Sequence, residues 1–297
     1  MASLGRDRDL PVEELHHRVV AWFDREARDL PWRRDPRPWP VLVSELMLQQ
    51  TPVVRVLPVF EAWMERWPTP ADLAAAPSGD AVRAWGRLGY PRRALRLHAA
   101  AVAITEHHGG EVPGTYDELI ELPGVGDYTA AAVASFAFGG RHAVLDTNVR
   151  RVLVRVLEGE QYPAKGVTAA ERRLANDVLP VTGAERWAAA TMELGAVVCT
   201  ARSPRCGACP VADLCRWRAL GHPEHDGPAR RGQPWAGTDR QVRGRLLAVL
   251  RDADGPVPRP VLESVWDDAV QRERCLDSLV ADGLVDPLTD DLFALPT

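Results

Sequence analysis

The stretch Leu122-Pro123-Gly124-Val125-Gly126 lies between two predicted helices, one beginning at Thr115 and one near Asp127. Its two glycines let the backbone turn tightly, which brings amide N–H groups to the start of the second helix. A helix N-terminus presents unpaired N–H groups with a partial positive charge, so it suits a phosphate oxygen. The stretch predicts a helical hairpin that binds phosphate. An ordinary turn between two helices is the alternative that these residues alone leave open.

The chain around this hairpin is predicted to be helical from about residue 10 to 220, because almost no stretch shows the period-two alternation of a strand. Gly, Pro, His and Arg dominate residues 221–238, which indicates a linker. Residues 239–297 predict three helices followed by a β-hairpin, an order typical of a winged helix. The expected fold class is all-α with a small C-terminal winged-helix-like α+β domain.

The charge is unevenly distributed along the 297 residues, of which 46% are hydrophobic and 26% charged. The net charge is -5, but residues 251–297 hold eleven acids and four arginines, which leaves +2 for residues 1–250. Residues 83–98 contain five arginines and no acid. Such a basic patch is what phosphate contact requires, although a solvated helix face is the alternative.

Membrane segments are not expected. Residues 1–9 lack the apolar stretch of a signal peptide, and no later run is long and apolar enough to span a bilayer. These features predict a cytoplasmic protein with no membrane partner.

Four of the five cysteines lie close together, at intervals of six, two and five residues: Cys199, Cys206, Cys209 and Cys215. Four thiolates suit zinc or an iron–sulfur cluster. Zinc ribbons usually pair two Cys-x2-Cys knuckles, whereas this stretch has only one. The spacing therefore favours an iron–sulfur cluster. Cys275 lies far from the others and is expected to be a small core residue.

Two carboxylates stand out. Asp146 is placed at the N-cap of a predicted helix, where backbone amides and the helix dipole would hold it ionised. Such a fixed anion can stabilise an oxocarbenium-like sugar cation, although capping alone also explains it. Glu45 is the only acid in the apolar stretch 39–51. If it faces inward, desolvation raises its pKa and makes it a proton donor near neutrality; a solvent-facing acid is the alternative.

These motifs together resemble the helix-hairpin-helix DNA glycosylases, over about residues 10–218. The cysteine spacing is similar to that of the cluster loop in the endonuclease III and MutY branches, and Asp146 stands twenty residues after Gly126 as their catalytic aspartate does. The segment 44–51 closely resembles the MutY helix that carries the adenine-protonating glutamate. The resemblance implies a glycosylase domain at 1–220, with a six-helix barrel at 31–140 and a domain for a [4Fe-4S] cluster built from 10–30 with 141–218.

The resemblance also implies the site residues. Glu45 would protonate adenine N7, Asp146 would stabilise the sugar cation, and Tyr128 and Asn148 would position the carboxylates and water. The residues implied to line the base pocket are Arg28, Trp32 and Leu48. Those implied to contact DNA are Gln49, Gln50, Tyr90, Leu122, Gly124, Val125 and Gly126.

Three departures from the family pattern refine this expectation. Pro91 stands where relatives commonly have a second tyrosine that wedges the duplex. Tyr128 stands where bifunctional relatives have the Schiff-base lysine, and Lys165 is the only lysine in the chain, so no lyase step is expected. The family's usual Nudix-like C-terminal domain is larger than residues 239–297, so it is expected to be missing. The acidic domain at 239–297 is repelled by phosphate and is expected to pack on the enzyme or bind a protein.

The expected function is removal of adenine mispaired with guanine or 8-oxoguanine in double-stranded DNA, by a monomeric, cytoplasmic, nucleoid-associated enzyme. Two alternatives stay open at this stage. One is a thymine or uracil mismatch glycosylase of the same superfamily, and the other is a non-catalytic iron–sulfur module that binds DNA.

Overall fold

The computed structural model describes residues 12–225, 227 and 235–297. Within them the chain forms α-helices and one small sheet, as the sequence predicts. The helices are α1 Val12–Glu26, α2 Pro31–Arg34, α3 Pro38–Leu48, α4 Val53–Arg66, α5 Pro70–Ala74, α6 Ser78–Trp85, α7 Arg92–His107, α8 Tyr116–Ile120, α9 Asp127–Phe138, α10 Thr147–Leu153, α11 Ala169–Asp177, α12 Ala184–Val197, α13 Arg216–Ala219, α14 Asp239–Asp252, α15 Arg259–Glu263 and α16 Ala269–Ala281. Two compact units contain these elements, the first Met1–Pro36 with Asp127–Pro228 and the second Arg37–Gly126 with Ala229–Thr297.

The first unit is built around α1, α10 and α12. Apolar residues recur every three or four positions in α1, and Leu15, Val19 and Trp22 are buried as that spacing predicts. They pack in one cluster with Val152 and Leu194. A π-helical turn, Val154–Glu158, continues α10, and a loop with a short 3-10 turn, Cys206–Ala208, leads to α13.

The second unit contains α3 to α8. Its α3 is buried along nearly its whole length, so it is a central helix with no solvent face. Trp63 and Trp85 are fully buried and their rings meet edge to face with centroids 5.8 Å apart. The Nε1 of Trp85 also donates to the carbonyl of Gly89 at 3.0 Å, which anchors the loop before α7 on this core.

The C-terminal part of the second unit has the order of a winged helix: α14, β1 Val257–Pro258, α15, α16, β2 Asp286–Leu288 and β3 Leu292–Ala294. The three strands are antiparallel in the order β1-β3-β2. Two details differ from the sequence-based expectation. The sequence predicts the first strand of the hairpin at 283–285, but this strand is Asp286–Leu288, and Leu284 and Val285 are buried in the core after α16. Strand β1 was not expected, because a two-residue strand has no periodicity to detect.

The C-terminal part packs on α6 and α7 of the same unit. The amide of Gly79 donates to the carbonyl of Pro296 at 2.7 Å, and Arg83 donates to the carbonyl of Ala253 at 2.9 Å. Arg92 forms an ion pair with Asp282 at 3.2 Å. The acidic domain therefore lies against the helices that flank the loop of Tyr90.

Some expectations concern residues outside the described ranges. Residues 1–9, which the sequence predicts not to be a signal peptide, lie outside the described ranges. So does most of the second half of the linker predicted at 221–238. The expected domain boundaries stay a prediction. Among the described residues, no helix combines the length and apolar character needed to cross a bilayer.

Candidate functional site

The four clustered cysteines line one cavity in the first unit. Cys199 follows α12, Cys206 and Cys209 flank the 3-10 turn, and Cys215 precedes α13. None forms a disulfide. Burial raises the pKa of the Cys209 thiol to about 12 and also raises that of Cys215. Thiolates at these positions therefore require the positive charge of a bound metal centre.

The burial and contacts of Arg155 indicate whether an anionic cluster fits this cavity. Its side chain is 1% exposed, and its Nη1 donates to the Sγ of Cys199 at 3.3 Å and to the carbonyl of Thr200 at 2.8 Å. The guanidinium also stacks on Trp217 at 4.5 Å. Arg155 forms no ion pair with a carboxylate among the described residues, and the sulfur of Cys199 is the cysteine atom its guanidinium contacts. A cluster bound by four thiolates supplies the negative charge that this buried cation needs.

Asp146 is the N-cap of α10, as expected, and its carboxylate is held at both oxygens. Oδ1 accepts from the amide of Val149 at 2.6 Å, and Oδ2 accepts from the Nδ2 of Asn148 at 2.6 Å. The Oδ1 of Asn148 in turn accepts from Arg151 at 2.7 Å, and the Nε of Arg151 donates to the carbonyl of Cys199 at 2.7 Å. A continuous series of hydrogen bonds therefore joins the carboxylate of Asp146 to the backbone of the first cluster cysteine.

Burial and hydrogen bonding shift the pKa of Asp146 in opposite directions, and a glycine in α12 fixes its partner Asn148. Burial raises the pKa of Asp146, while the hydrogen bonds from Val149 and Asn148 lower it, and the net shift is upward. The sequence-based expectation considered only the donors, because burial cannot be judged from one residue's place in a helix. Gly195 lies against Asn148, and a Cβ there would come within 2.7 Å of it. Glycine at 195 thus lets α12 approach α10 closely enough to fix Asn148.

Glu193 is a buried residue to which the sequence reasoning gave no role. Its side chain is fully buried, and it accepts two hydrogen bonds from the Arg28 guanidinium, both at 2.7 Å, and one from Arg33 at 2.8 Å. Burial alone would raise its pKa, but the donors outweigh burial and hold the pKa of Glu193 at about 2. Arg28 is therefore held in place by a carboxylate that stays ionised. Trp32, in α2 of the same unit, is 8% exposed.

Tyr128 lies in the first turn of α9 in this unit and is partly buried. The other expected residues lie in the second unit. Glu45 is 4% exposed within α3, so it faces inward as the proton-donor hypothesis requires. Leu48 is the last residue of α3, Gln49 follows it partly buried, and Gln50 is exposed with a φ of 54°.

The hairpin joins α8 to α9 at the positions that the sequence predicts. The amide of Val125 donates to the carbonyl of Leu122 at 3.1 Å, which closes the turn, and both side chains are buried. Gly124 has a φ of 78°, and a Cβ there would lie 2.5 Å from Arg96. Glycine is therefore required at 124. Gly124 and Gly126 are exposed, so their amides are accessible to a ligand.

The basic patch at 83–98 is smaller than the sequence indicates. Arg87, Arg92 and Arg96 are exposed, but Arg93 is 5% exposed, and Arg83 donates to a backbone carbonyl of the C-terminal part. The expectation that all five arginines form a solvent-facing patch is wrong for Arg93, because a helix position cannot reveal which face its partners cover. By contrast, four arginines around the cysteine loop are exposed: Arg202, Arg205, Arg216 and Arg218.

Comparison with known proteins agrees with these features. A family model described as the HhH-GPD superfamily of base excision DNA repair proteins matches residues 43–176, and one described as the iron-sulfur binding domain of endonuclease III matches residues 199–215. The adenine DNA glycosylase of Mycobacterium tuberculosis (strain ATCC 25618 / H37Rv) is 53% identical over 284 residues, which cover 94% of this chain and 92% of the relative. That of Homo sapiens is 43% identical over 210 residues, 67% of this chain and 38% of the relative.

Solved structures confirm the expected fold. A thermostable thymine-DNA glycosylase aligns with a TM-score of 0.64 and 26% identity, over 70% of this chain and 97% of that one. Endonuclease III in a non-covalent DNA complex aligns with a TM-score of 0.61 and 25% identity, over 71% of this chain and 96% of that one. The cysteine loop therefore belongs to a known iron–sulfur binding domain, and the prediction of an iron–sulfur cofactor is confirmed.

Proposed function

The chain belongs to the adenine DNA glycosylase family, and from this premise we propose that it hydrolyses the N-glycosidic bond of adenine mispaired with guanine or 8-oxoguanine. The observation that carries the proposal is the fixation of Asp146. A carboxylate held at one oxygen by a backbone amide and at the other by Asn148 cannot rotate away from its position. A fixed anion stabilises a sugar cation without the cost of reorganisation during the reaction.

The proposed chemistry divides between two carboxyl groups. The target adenine leaves the base stack, since its glycosidic bond is inaccessible within it. Glu45 donates a proton to the base, which converts adenine into a good leaving group. Asp146 stabilises the oxocarbenium-like sugar, and Asn148 and Tyr128 position the carboxylates and water. Arg28, held by Glu193, and Trp32 are proposed to contact the flipped base, as is Leu48 at the end of α3. The product is an abasic site.

The role proposed for the iron–sulfur cluster is structural. When bound to Cys199, Cys206, Cys209 and Cys215, it supplies a folded centre for the loop between α12 and α13. The hydrogen bonds through Arg151 then connect the position of this loop to Asn148 and Asp146. The exposed arginines around the loop, together with the amides of Gly124 and Gly126 in the hairpin, supply phosphate contacts that do not depend on sequence.

A panel of mispaired duplexes tests the proposal. We expect alkali-dependent strand breaks at adenine in A:G and A:8-oxoguanine duplexes, weaker breaks in A:C, and none at G:T or G:U. The last two substrates test the mismatch alternative, which the likeness to a thymine-DNA glycosylase keeps relevant. Cleavage of G:T or G:U in preference to A:G would show that the adenine assignment is wrong.

The same panel without alkali tests the absence of a lyase step. We expect intact strands and little covalent complex after borohydride treatment, because arginine does not form an imine and Lys165 is the only lysine. Strong trapping that disappears in Lys165→Ala would instead identify that lysine as catalytic.

The C-terminal domain is proposed not to read the base opposite adenine. Three acids at the start of or within α16 are exposed: Asp267, Asp268 and Asp277. They repel phosphate, and the domain packs on α6 and α7 through Pro296 and Ala253.

Removal of residues 240–297 should therefore leave adenine release opposite guanine within about threefold, and preference for 8-oxoguanine over guanine should be modest in both forms. Thermal stability should fall, because the truncation exposes the surface that this domain covers. A full-length chain with strong 8-oxoguanine preference that the truncated chain loses would show that the domain reads the lesion.

A further inference from the structure

Arg93 is a buried cation for which the proposed function gives no role. It lies in the first turn of α7, is 5% exposed and forms no ion pair with a carboxylate among the described residues. Burial lowers the pKa of Arg93 to about 10, so the side chain is still charged at neutral pH. A buried cation without an anion is costly, which raises the question of what this one holds.

The guanidinium of Arg93 joins two separate segments of the second unit. The first is the end of α3 and the residues after it, and the second is the loop before α7. Its Nη1 donates to the carbonyls of Leu46, Met47 and Gln49 at 2.8, 3.0 and 2.6 Å. Its Nη2 donates to the Oγ1 of Thr51 and to the carbonyl of Gly89, both at 3.0 Å. The free carbonyls at the C-terminus of α3 are thereby satisfied by a cation from α7.

Both joined segments contain a residue with strained backbone. Gln50 has a φ of 54° and Tyr90 has a φ of 48°, and neither is glycine. Each directly follows a residue whose carbonyl Arg93 holds, Gln49 in one case and Gly89 in the other. Such conformations persist only where the surrounding structure fixes them. The Arg93 guanidinium also lies 5.6 Å from the ring centroid of Tyr90, whose side chain is half exposed.

We propose that Arg93 is a positioning residue that fixes Gln49 and Gln50 in register with Tyr90, so that both segments enter the duplex together at the target adenine. This inference rests on the proposed function and adds to it the expected DNA contacts of Gln49, Gln50 and Tyr90. Arginine suits the task because its planar group places N–H donors on two terminal nitrogens, one used for each segment's main contacts, whereas lysine has all its donors on one nitrogen.

This role predicts that the effect of substituting Arg93 on the rate of adenine release depends on whether the target adenine has an opposite base. Segments that enter the duplex matter most for an adenine that is still paired, and least for one whose opposite base is missing. A residue that only stabilises the fold would affect both substrates alike. The ratio of the two rates therefore separates positioning from stability.

The experiment measures single-turnover adenine release by the full-length holoenzyme from an A:G duplex and from a duplex with adenine opposite an abasic site. We expect Arg93→Lys to slow the first reaction about tenfold and the second about twofold or less, because only the first needs the two segments in register. Fluorescence of 2-aminopurine placed at the target adenine should show the same loss in the A:G context.

Arg251→Lys is the matched control. Arg251 is a partly buried arginine of this unit whose pKa is likewise lowered to about 10 by burial, but its Nε donates to the carbonyl of Val82, away from both segments. We expect a lower melting temperature and an unchanged rate ratio. If Arg93→Lys does not fold, Thr51→Val removes the hydroxyl shared by the two segments and should shift the same ratio about threefold.

The outcomes are distinguishable. The positioning role is overturned if Arg93→Lys slows adenine release from both substrates equally. If Thr51→Val is used instead, an unchanged ratio of the two rates overturns it. The same shift in Arg251→Lys also overturns it. Failure of the unsubstituted protein to release adenine from either duplex would overturn the proposed function instead.

Discussion

Asp146→Asn and Glu45→Gln are each expected to slow adenine release about a thousandfold, while duplex affinity stays within about tenfold. The first removes the anion beside the sugar but keeps an oxygen that can accept from the amide of Val149. The second keeps the shape of a side chain that is 4% exposed in α3 but removes its proton-donating group. Single-turnover release and an equilibrium binding assay on the same A:G duplex measure the two effects separately.

Asp268→Asn is the matched control for Asp146→Asn. Asp268 is also an N-cap aspartate, with Oδ1 accepting from the amide of Gln271 at 3.0 Å, but it caps α16 in the C-terminal part. We expect normal adenine release from this variant. Near-normal turnover by either Asp146→Asn or Glu45→Gln would refute the assigned role of that carboxyl group.

Cluster loss is expected to have the second large effect. The purified protein should be brown and contain about four irons with matching sulfide. Cys206→Ser and Cys209→Ser should give poorly folded protein, because the loop between α12 and α13 has few buried groups of its own and Arg155 would lose the anions around its guanidinium. Metal analysis, visible absorption and the melting temperature measure these changes.

Cys275→Ser is the control for the cluster variants. Cys275 is buried in α16, far along the chain from the cysteine loop, and it is not among the residues that line the cluster cavity. Its substitution should leave the iron content unchanged. One zinc per chain and no sulfide after anaerobic purification would contradict the cluster.

The sequence predicts local features of this protein well where one residue type has one physical use. Glycine at 124 is needed for a positive φ and a close approach, and the hairpin is where its sequence places it. Four thiols at 6-2-5 spacing meet at one cavity. The spacing of Leu15, Val19 and Trp22 defines the buried face of α1.

What the sequence does not reveal are the partners that distant segments provide. Glu193 interrupts an apolar stretch of α12 as Glu45 interrupts α3, so the same signal could have identified it, but its partners lie about 160 residues away. Arg93 has the sequence context of a surface arginine, and only the fold shows that carbonyls from α3 surround it. Likewise, the burial that raises the pKa of Asp146 depends on elements packed around α10.

We propose that this chain releases adenine from mispairs through Glu45 and Asp146. Direct identification of the freed base tests it best, with labelled adenine in an A:G duplex and labelled thymine in a G:T duplex offered together to the holoenzyme. We expect free adenine, no free thymine, and no release by Asp146→Asn. Free thymine without free adenine, or intact DNA bound by an iron-replete protein, would contradict it.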